Sequence, residues 1–189
     1  MLQRWLNCPL TSSVGRLFDG FASLLDVRQV ASFEGQAAME LEYALADATD
    51  DAALPFAVRG QGNRLVLDWE PAVHAVLAEP SRPAPHAMNL PARFHNMLVE
   101  MAVEVAKQIG EPSVVLSGGC FQNRYLTERM VARLRAAGHR PYWHQRVPPN
   151  DGNLALGQLM VAAQRQTQKQ KDQGSDVSRG TGEDTGCQR

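Results

Sequence analysis

Two short segments carry the residue types from which chemistry could be built. Leu116-Ser117-Gly118-Gly119-Cys120-Phe121-Gln122-Asn123 continues the apolar run Ser113-Val114-Val115-Leu116 into a pair of glycines. A strand, two glycines and then a helix let backbone N–H groups approach a phosphate or nucleoside, and residues without Cβ permit the close approach. The same pattern also makes a tight strand–helix connection, so both readings stand on residue types alone. Cys120 reads as a small packing residue, because nothing beside it in sequence would lower a thiol pKa. The second segment is Asn150-Asp151-Gly152, just before the last helix. A carboxylate there caps a helix N-terminus or offers a hard oxygen ligand to a cation such as Mg²⁺.

Other titratable residues say less. The histidines are His74, His86, His95, His139 and His144. No two stand four apart on a helix, so no two-histidine metal face is present. His95 follows core-facing Phe94 and falls at the edge of a helix interface. Asp19 lies inside an amphipathic helix beside Phe18, on a solvated face or pointing into a cleft. Glu34, Glu40 and Glu42 sit in an alanine-rich helix start, where Glu34 complements the helix dipole.

The elements that must position these residues follow from periodicity. Leu17, Phe18, Phe21, Leu24 and Leu25 make a first helix, with Thr11-Ser12-Ser13 offering caps. A second helix runs from Glu34 or Gln36 to about Ala46. Thr49 to Asn63 reads as irregular chain broken by Pro55 and Gly60-Gln61-Gly62, followed by a short strand at Leu65-Val66-Leu67 and a short helix from Pro71 to Leu77. Ser81 to Pro91 is a proline-rich connector. A long helix spans about Ala92 to Ile109, with Phe94, Met97, Leu98, Met101 and Val105 on one face. Then come the Ser113–Leu116 strand, a helix carrying Leu126, Met130, Val131 and Leu134 to Gly138, a strand at Pro141-Tyr142-Trp143 and a helix from Leu154 to about Arg165. This β-α-β-α order predicts an α/β core with a mostly parallel sheet, preceded by a helical N-terminal part. Residues 166–189 are almost free of apolar side chains and are expected to be a disordered polar tail.

Composition limits the classes. The chain has 189 residues, 44% of them hydrophobic and 21% charged, with a formal net charge of −1. That suits one packed domain or one lobe of something larger. No apolar run approaches the ~20 residues of a membrane span. Near-zero net charge argues against nucleic acid or a polybasic membrane patch as partners. The N-terminus lacks the apolar region of a secretion signal. Cys8, Cys120 and Cys187 are odd in number and far apart, which fits neither a disulfide framework nor a zinc finger. A cytoplasmic location is expected.

Five stretches, taken together in this order, resemble the C-terminal end of the HypF family of carbamoyltransferases. They are Asn7 to Asp19, Phe33 to Glu42, Ala92-Arg93-Phe94-His95-Asn96, Leu116 to Asn123, and Arg146-Val147-Pro148-Pro149-Asn150-Asp151-Gly152. The resemblance covers roughly residues 5–165. It implies the second lobe of an actin/Hsp70-like ATPase fold, similar to the tRNA threonylcarbamoyl-transferase family. It also implies use of carbamoyl phosphate and ATP to make carbamoyl-adenylate, with the carbamoyl group passed to the C-terminal cysteine of HypE in nickel–iron hydrogenase maturation.

By that resemblance, Gly118, Gly119 and Asn123 match the adenosine-side turn. Asp19, Gly35 and Glu40 match positions suited to the ribose and nucleotide cleft. Asp151 matches the carboxylate that, with a His-x-x-x-His pair, holds a divalent metal. That pair, the zinc-finger modules and the other N-terminal domains of the family pattern do not occur in this sequence. Asn153 stands where the family pattern continues with a second glycine. The expectation is a truncated piece of an enzyme, inactive alone. The alternative is a non-catalytic remnant or a nucleotide- or partner-binding module.

Overall fold

The computed structural model describes residues 11–45, 51–62, 64–78 and 89–177, with side chains up to Gln168. The core is built on α4 (Leu90–Ile109), a helix of 20 residues. Pro91 sits in its first turn, where no N–H partner is needed, and Gly110 closes it in the left-handed conformation with φ +78. Phe94, Met97, Val99, Met101 and Val103 are almost fully buried along it. Helix α1 (Val14–Leu24), capped by Ser13, lays Phe18 and Phe21 against this helix. The Phe18 and Phe94 rings meet edge to face at 5.0 Å, and Phe21 stacks on Phe94 at 4.4 Å. Helix α2 (Gln36–Tyr43) packs on α1 through Ala37 and Leu41. It is shorter than the stretch to Ala46 read from the sequence, and residues 46–50 lie outside the described residues.

The segment Thr49 to Asn63 is not simply irregular chain. Strands β1 (Ala57–Gln61) and β2 (Arg64–Asp68) pair as an antiparallel hairpin, with Ala57 opposite Asp68. Gly62, at φ +60, supplies the turn conformation that β-branched residues cannot take. What looked like a breaker is the hairpin turn. Helix α3 (Glu70–Leu77) follows. Most of the proline-rich connector lies outside the described residues, and α4 starts at Leu90 rather than Ala92.

The β-α-β order appears as expected. Strand β3 (Ser113–Leu116) and β4 (Arg140–Trp143) pair in parallel, in the register Ser113↔Arg140 to Leu116↔Trp143. Helix α5 (Arg124–Ala136) crosses between them and buries Leu126, Met130, Val131 and Leu134 against α4. The Arg133 guanidinium grips Glu100 of α4 through two hydrogen bonds, 2.6 and 3.0 Å. One face of the sheet stays open: Val115 and its register partner Tyr142 are both exposed. The last helix, α6 (Leu154–Val177), runs past the Arg165 boundary and through part of the expected polar tail. Gln, Lys and Arg are good helix formers, and that local preference outweighs the lack of an apolar stripe. Residues 178–189 lie outside the described residues.

Candidate functional site

Parallel pairing fixes the site. Because Leu116 is opposite Trp143, the residues that follow, Ser117 and His144, emerge side by side at the strand ends. Ser117 Oγ and His144 Nε2 are 3.0 Å apart. The carboxyl ends of parallel strands are where open α/β sheets bind ligands. Ser117, Gly118, Pro149, Asn150, Asp151 and Asn153 line one wall of a cleft of about 720 Å³ there. The other wall is the first part of α6.

The glycine pair turns the chain as its sequence predicts, and each glycine serves a different need. Gly118 has φ +111, a conformation L-residues rarely adopt. Its N–H donates to Pro149 O at 2.9 Å, which ties the glycine turn to the Asp151 loop. Gly119 opens a short 3-10 turn, Gly119–Gln122, and a Cβ placed on it would meet only Gln122 Nε2, at 3.8 Å. A second clasp joins the same two loops. Gln122 Nε2 donates to Gly119 O at 3.2 Å, and Asn150 Nδ2 donates to Gln122 Oε1 at 3.1 Å. Asn150 Oδ1 meanwhile caps the 3-10 turn Asp151–Asn153 through Gly152 N–H. Asn153 therefore fits this loop without the second glycine. Its Oδ1 is buried and has no hydrogen-bond partner among the described residues.

The sequence-predicted residues do not all gather here. Gly118 and Asp151 line the cleft together. Asn123 has its side chain committed inward. Its Oδ1 accepts from Leu126 N–H at 2.8 Å as the cap of α5, and its Nδ2 meets His95 Nε2 at 2.9 Å. Its part in the turn is to hold it, and its amide does not face the cleft as a nucleoside contact. Asp19 pairs with Arg16 at 2.9 Å on the partly exposed side of α1. Gly35 takes φ +81 before α2, with open space around a Cβ. Glu40 is held by Arg28, whose Nε donates to Oε2 at 2.7 Å and whose other nitrogen grips Oε1. That guanidinium holds the Glu40 carboxyl below the usual carboxylate range. None of Asp19, Gly35 and Glu40 lines the cleft. They lie on α1, before α2 and on α2, away from the cleft, while α1 packs on residues 119–122 of the turn.

His95 sits fully buried, not at the edge of an interface. Its Nδ1–H donates to Pro91 O at 2.7 Å, since a carbonyl can only accept, so Nε2 accepts from Asn123. Burial pushes the imidazole pKa down to about 4. Burial likewise pushes the Cys120 thiol up, in keeping with a packing role.

Three positioning groups were missed in the sequence. Ser117 and His144 were legible only through the strand register, and Glu42 gave no signal. Glu42 Oε1 accepts from the N–H groups of Arg124 and Tyr125, at 2.7 and 3.3 Å, and so caps α5 from another helix. Glu42→Ala is expected to lower stability by about 1 kcal/mol, as loss of a capping acceptor does. Urea unfolding of the two proteins side by side checks this.

Among the described residues, no group of three or more His, Cys, Asp or Glu side chains stands together to hold a metal ion. Asp151 is exposed and makes no ion pair among the described residues. One carboxylate leaves a divalent ion mostly hydrated. The described residues do not fit a metal site by themselves. No helix among them is long and apolar enough to cross a membrane.

Residues 1–158 match the family described as "Carbamoyltransferase, Kae1-like Domain, second subdomain". Carbamoyltransferase HypF of Synechocystis sp. is 40% identical over 159 residues, covering 84% of this chain and 20% of that protein. Carbamoyltransferase HypF of Rhizobium leguminosarum bv. viciae is 39% identical, covering 82% and 20%. The crystal structure described as full-length HypF in the phosphate- and nucleotide-bound form superposes with a TM-score of 0.71 at 35% identity. It covers 85% of this chain and 21% of that one. The chain thus spans about a fifth of the length of these relatives. With its α/β order, its glycine turn and its Asp151 loop in the expected places, the chain belongs to the HypF carbamoyltransferase family and carries the second subdomain of its Kae1-like domain.

Proposed function

We propose that this chain is the nucleotide-binding second lobe of a carbamoyl transfer that serves nickel–iron hydrogenase maturation. The observation that carries the reading is the 2.9 Å bond from Gly118 N–H to Pro149 O. It brings the glycine turn and the Asp151 loop onto one cleft at the strand ends. A relative of the same fold is described as phosphate- and nucleotide-bound, which supports ATP as the ligand. Carbamoyl phosphate then loses phosphate to leave carbamate, carbamate displaces pyrophosphate from the α-phosphate of ATP to give carbamoyl-adenylate, and the HypE thiol takes the carbamoyl group with release of AMP.

Gly118 and Gly119 let the backbone approach the nucleotide, and Asn123 holds their turn through the α5 cap. Asp19 on α1, Gly35 before α2 and Glu40 on α2 lie outside this cleft and are given no nucleotide contact in it. Asp151 would supply one carboxylate to a divalent metal only if the other ligands came from outside the described residues. The open face at Val115 and Tyr142, and the exposed Leu154, Leu156, Leu159 and Met160 of α6, are apolar surfaces of the kind another lobe covers.

The purified chain incubated with carbamoyl phosphate, ATP, a divalent metal and HypE is expected to form no carbamoylated HypE. Asp151 alone cannot organise the ion, and an open cleft lacks the water exclusion that strengthens electrostatic stabilisation. Mass spectrometry of HypE reads the result. Carbamoylated HypE whose formation is lost in Asp151→Ala would show that the lobe builds a working site by itself. ATP binding without transfer is the expected outcome, and absence of ATP binding would sink the reading.

A further inference from the structure

Strand β2 is the outer strand of its hairpin. β1 lies against α4, while β2 has β1 as its only strand partner among the described residues. Its three central side chains, Leu65, Val66 and Leu67, are 41, 40 and 38% exposed. Successive side chains of a strand point to opposite faces, so apolar surface is open on both sides of the ribbon. An open edge with aliphatic side chains on both faces is a template for another strand.

The register tells which backbone groups are free. Gln61 pairs with Arg64, and only Gly62 and Asn63 separate them in the sequence. The pair flanking a two-residue turn exchanges hydrogen bonds, and bonded and non-bonded pairs then alternate along the ladder. Arg64, Val66 and Asp68 thus turn their N–H and C=O groups towards β1. Leu65 and Leu67 turn theirs to the outer edge.

Charge selects the occupant of that edge. The strand reads Arg64-Leu65-Val66-Leu67-Asp68, with a basic and an acidic end about a valine centre. Set antiparallel to a second copy of itself, with the two Val66 residues facing across a two-fold axis, it places Arg64 opposite Asp68 of the second copy at both ends. Leu65 then lies opposite Leu67 of the second copy. These are the residues with outward backbone groups, so each such pair exchanges both its hydrogen bonds. Arg64 is exposed and makes no ion pair among the described residues. Asp68 holds Arg59 through Oδ2 at 2.5 Å and accepts from Glu70 N–H through Oδ1 at 3.0 Å, and each carboxylate oxygen accepts more than one donor. A parallel arrangement would set Arg64 beside Arg64, and a slip in register would set Arg64 against an aliphatic side chain.

We infer that β2 is a self-docking edge: two copies of this chain pair β2 to β2 in the antiparallel register centred on Val66, and the two hairpins make one four-stranded sheet about a two-fold axis. None of residues 57–68 lines the cleft, so the inference does not rest on the nucleotide reading. Five-residue strands bury less than a standard interface, so the dimer is weak and depends on concentration.

The test is sedimentation velocity of the full 189-residue chain. Wild type should pass from monomer towards dimer between about 1 and about 200 μM. Arg64→Asp sets two carboxylates against each other at both ends of the pairing and should weaken the dimer about tenfold or more. Asp68→Arg should do the same with two guanidinium groups. An equimolar mixture of the two variants should recover the dimer, because every charge pair across the edge is then opposite in sign. Leu159→Glu, on the exposed apolar face of α6, should leave the dimer intact. Thermal unfolding reports whether each variant keeps its fold; should Asp68→Arg fail through loss of the Arg59 pair, Arg64→Asp carries the test alone. A wild-type chain that stays monomeric throughout, a dimer that Arg64→Asp does not weaken, a mixture of folded variants that stays monomeric, or a dimer lost in Leu159→Glu would each overturn the inference.

Discussion

Acidification from pH 6.5 to 4 is expected to remove about 3 kcal/mol of folding stability through His95 alone. The imidazole is buried, and its pKa in the folded chain falls to about 4 from the ordinary 6.5. Its neutral form is the one the fold uses. Nδ1–H donates to Pro91 O, and Nε2 accepts from Asn123. Protonation would put a hydrogen on Nε2, facing an amide that has only N–H to offer there. The sign follows from proton counting. Between pH 4 and 6.5 the unfolded chain binds the proton and the folded chain does not, so stability rises with pH across that window. It is fully present above 6.5 and lost as pH falls towards 4.

Carboxylates add to the loss only at the lower end. Glu40, Asp51 and Glu100 are each held below the usual range, chiefly by hydrogen bonds from Arg28, Arg129 and Arg133. Their contributions begin to fade only once pH nears the ordinary carboxylate range. The pH 5.5–6.5 interval therefore isolates His95. Denaturant unfolding at intervals across it, for wild type and His95→Leu, is the measurement. The wild-type slope should be steep and the variant's nearly flat. Equal slopes would show that His95 titrates normally and that the buried node is misassigned.

That node explains part of what the sequence could and could not reveal. The helix around Phe94 was legible because apolar spacing and a terminal glycine report directly on packing and capping. The two parallel strands were legible because an apolar run, a glycine pair and a helix leave few other arrangements. The β1–β2 hairpin was not, since Gly60-Gln61-Gly62 looks the same as a breaker and as a turn. The extension of α6 to Val177 was not, because local helix preference and lack of a burying face point in opposite directions.

Within the site the same division holds. Gly118 and Asp151 stand out in the sequence as a glycine after a strand and a carboxylate before a helix, and the structure puts both on the cleft wall. Asn123 was read as a contact for the nucleoside, yet its side chain is enclosed by Leu126 and His95. An asparagine before a helix is a capping residue as readily as a ligand group, and only burial separates the two. Ser117 with His144, 27 residues apart, and Glu42 with Arg124, 82 apart, depend on tertiary pairing that no local pattern carries.

Gly119 gives the most direct access to the central claim, that nucleotide binds against the glycine turn of this cleft. The two glycines separate folding from binding. Gly118, at φ +111, would be strained by any side chain, so its substitution mixes both effects. Gly119 lies outside that backbone region, and a Cβ there makes only ordinary contact with Gln122 Nε2 at 3.8 Å. Gly119→Val should therefore leave thermal unfolding almost unchanged. Gly119 follows the cleft-lining Gly118, and in the nucleotide reading its added methyl groups stand where the nucleotide comes close to the backbone. The expected loss is about a hundredfold in ATP affinity, or ~2.7 kcal/mol. Calorimetric titration of ATP into wild type and Gly119→Val, at matched melting temperatures, decides the matter. The account predicts binding by wild type and a loss of that size in the variant; equal affinities would contradict it.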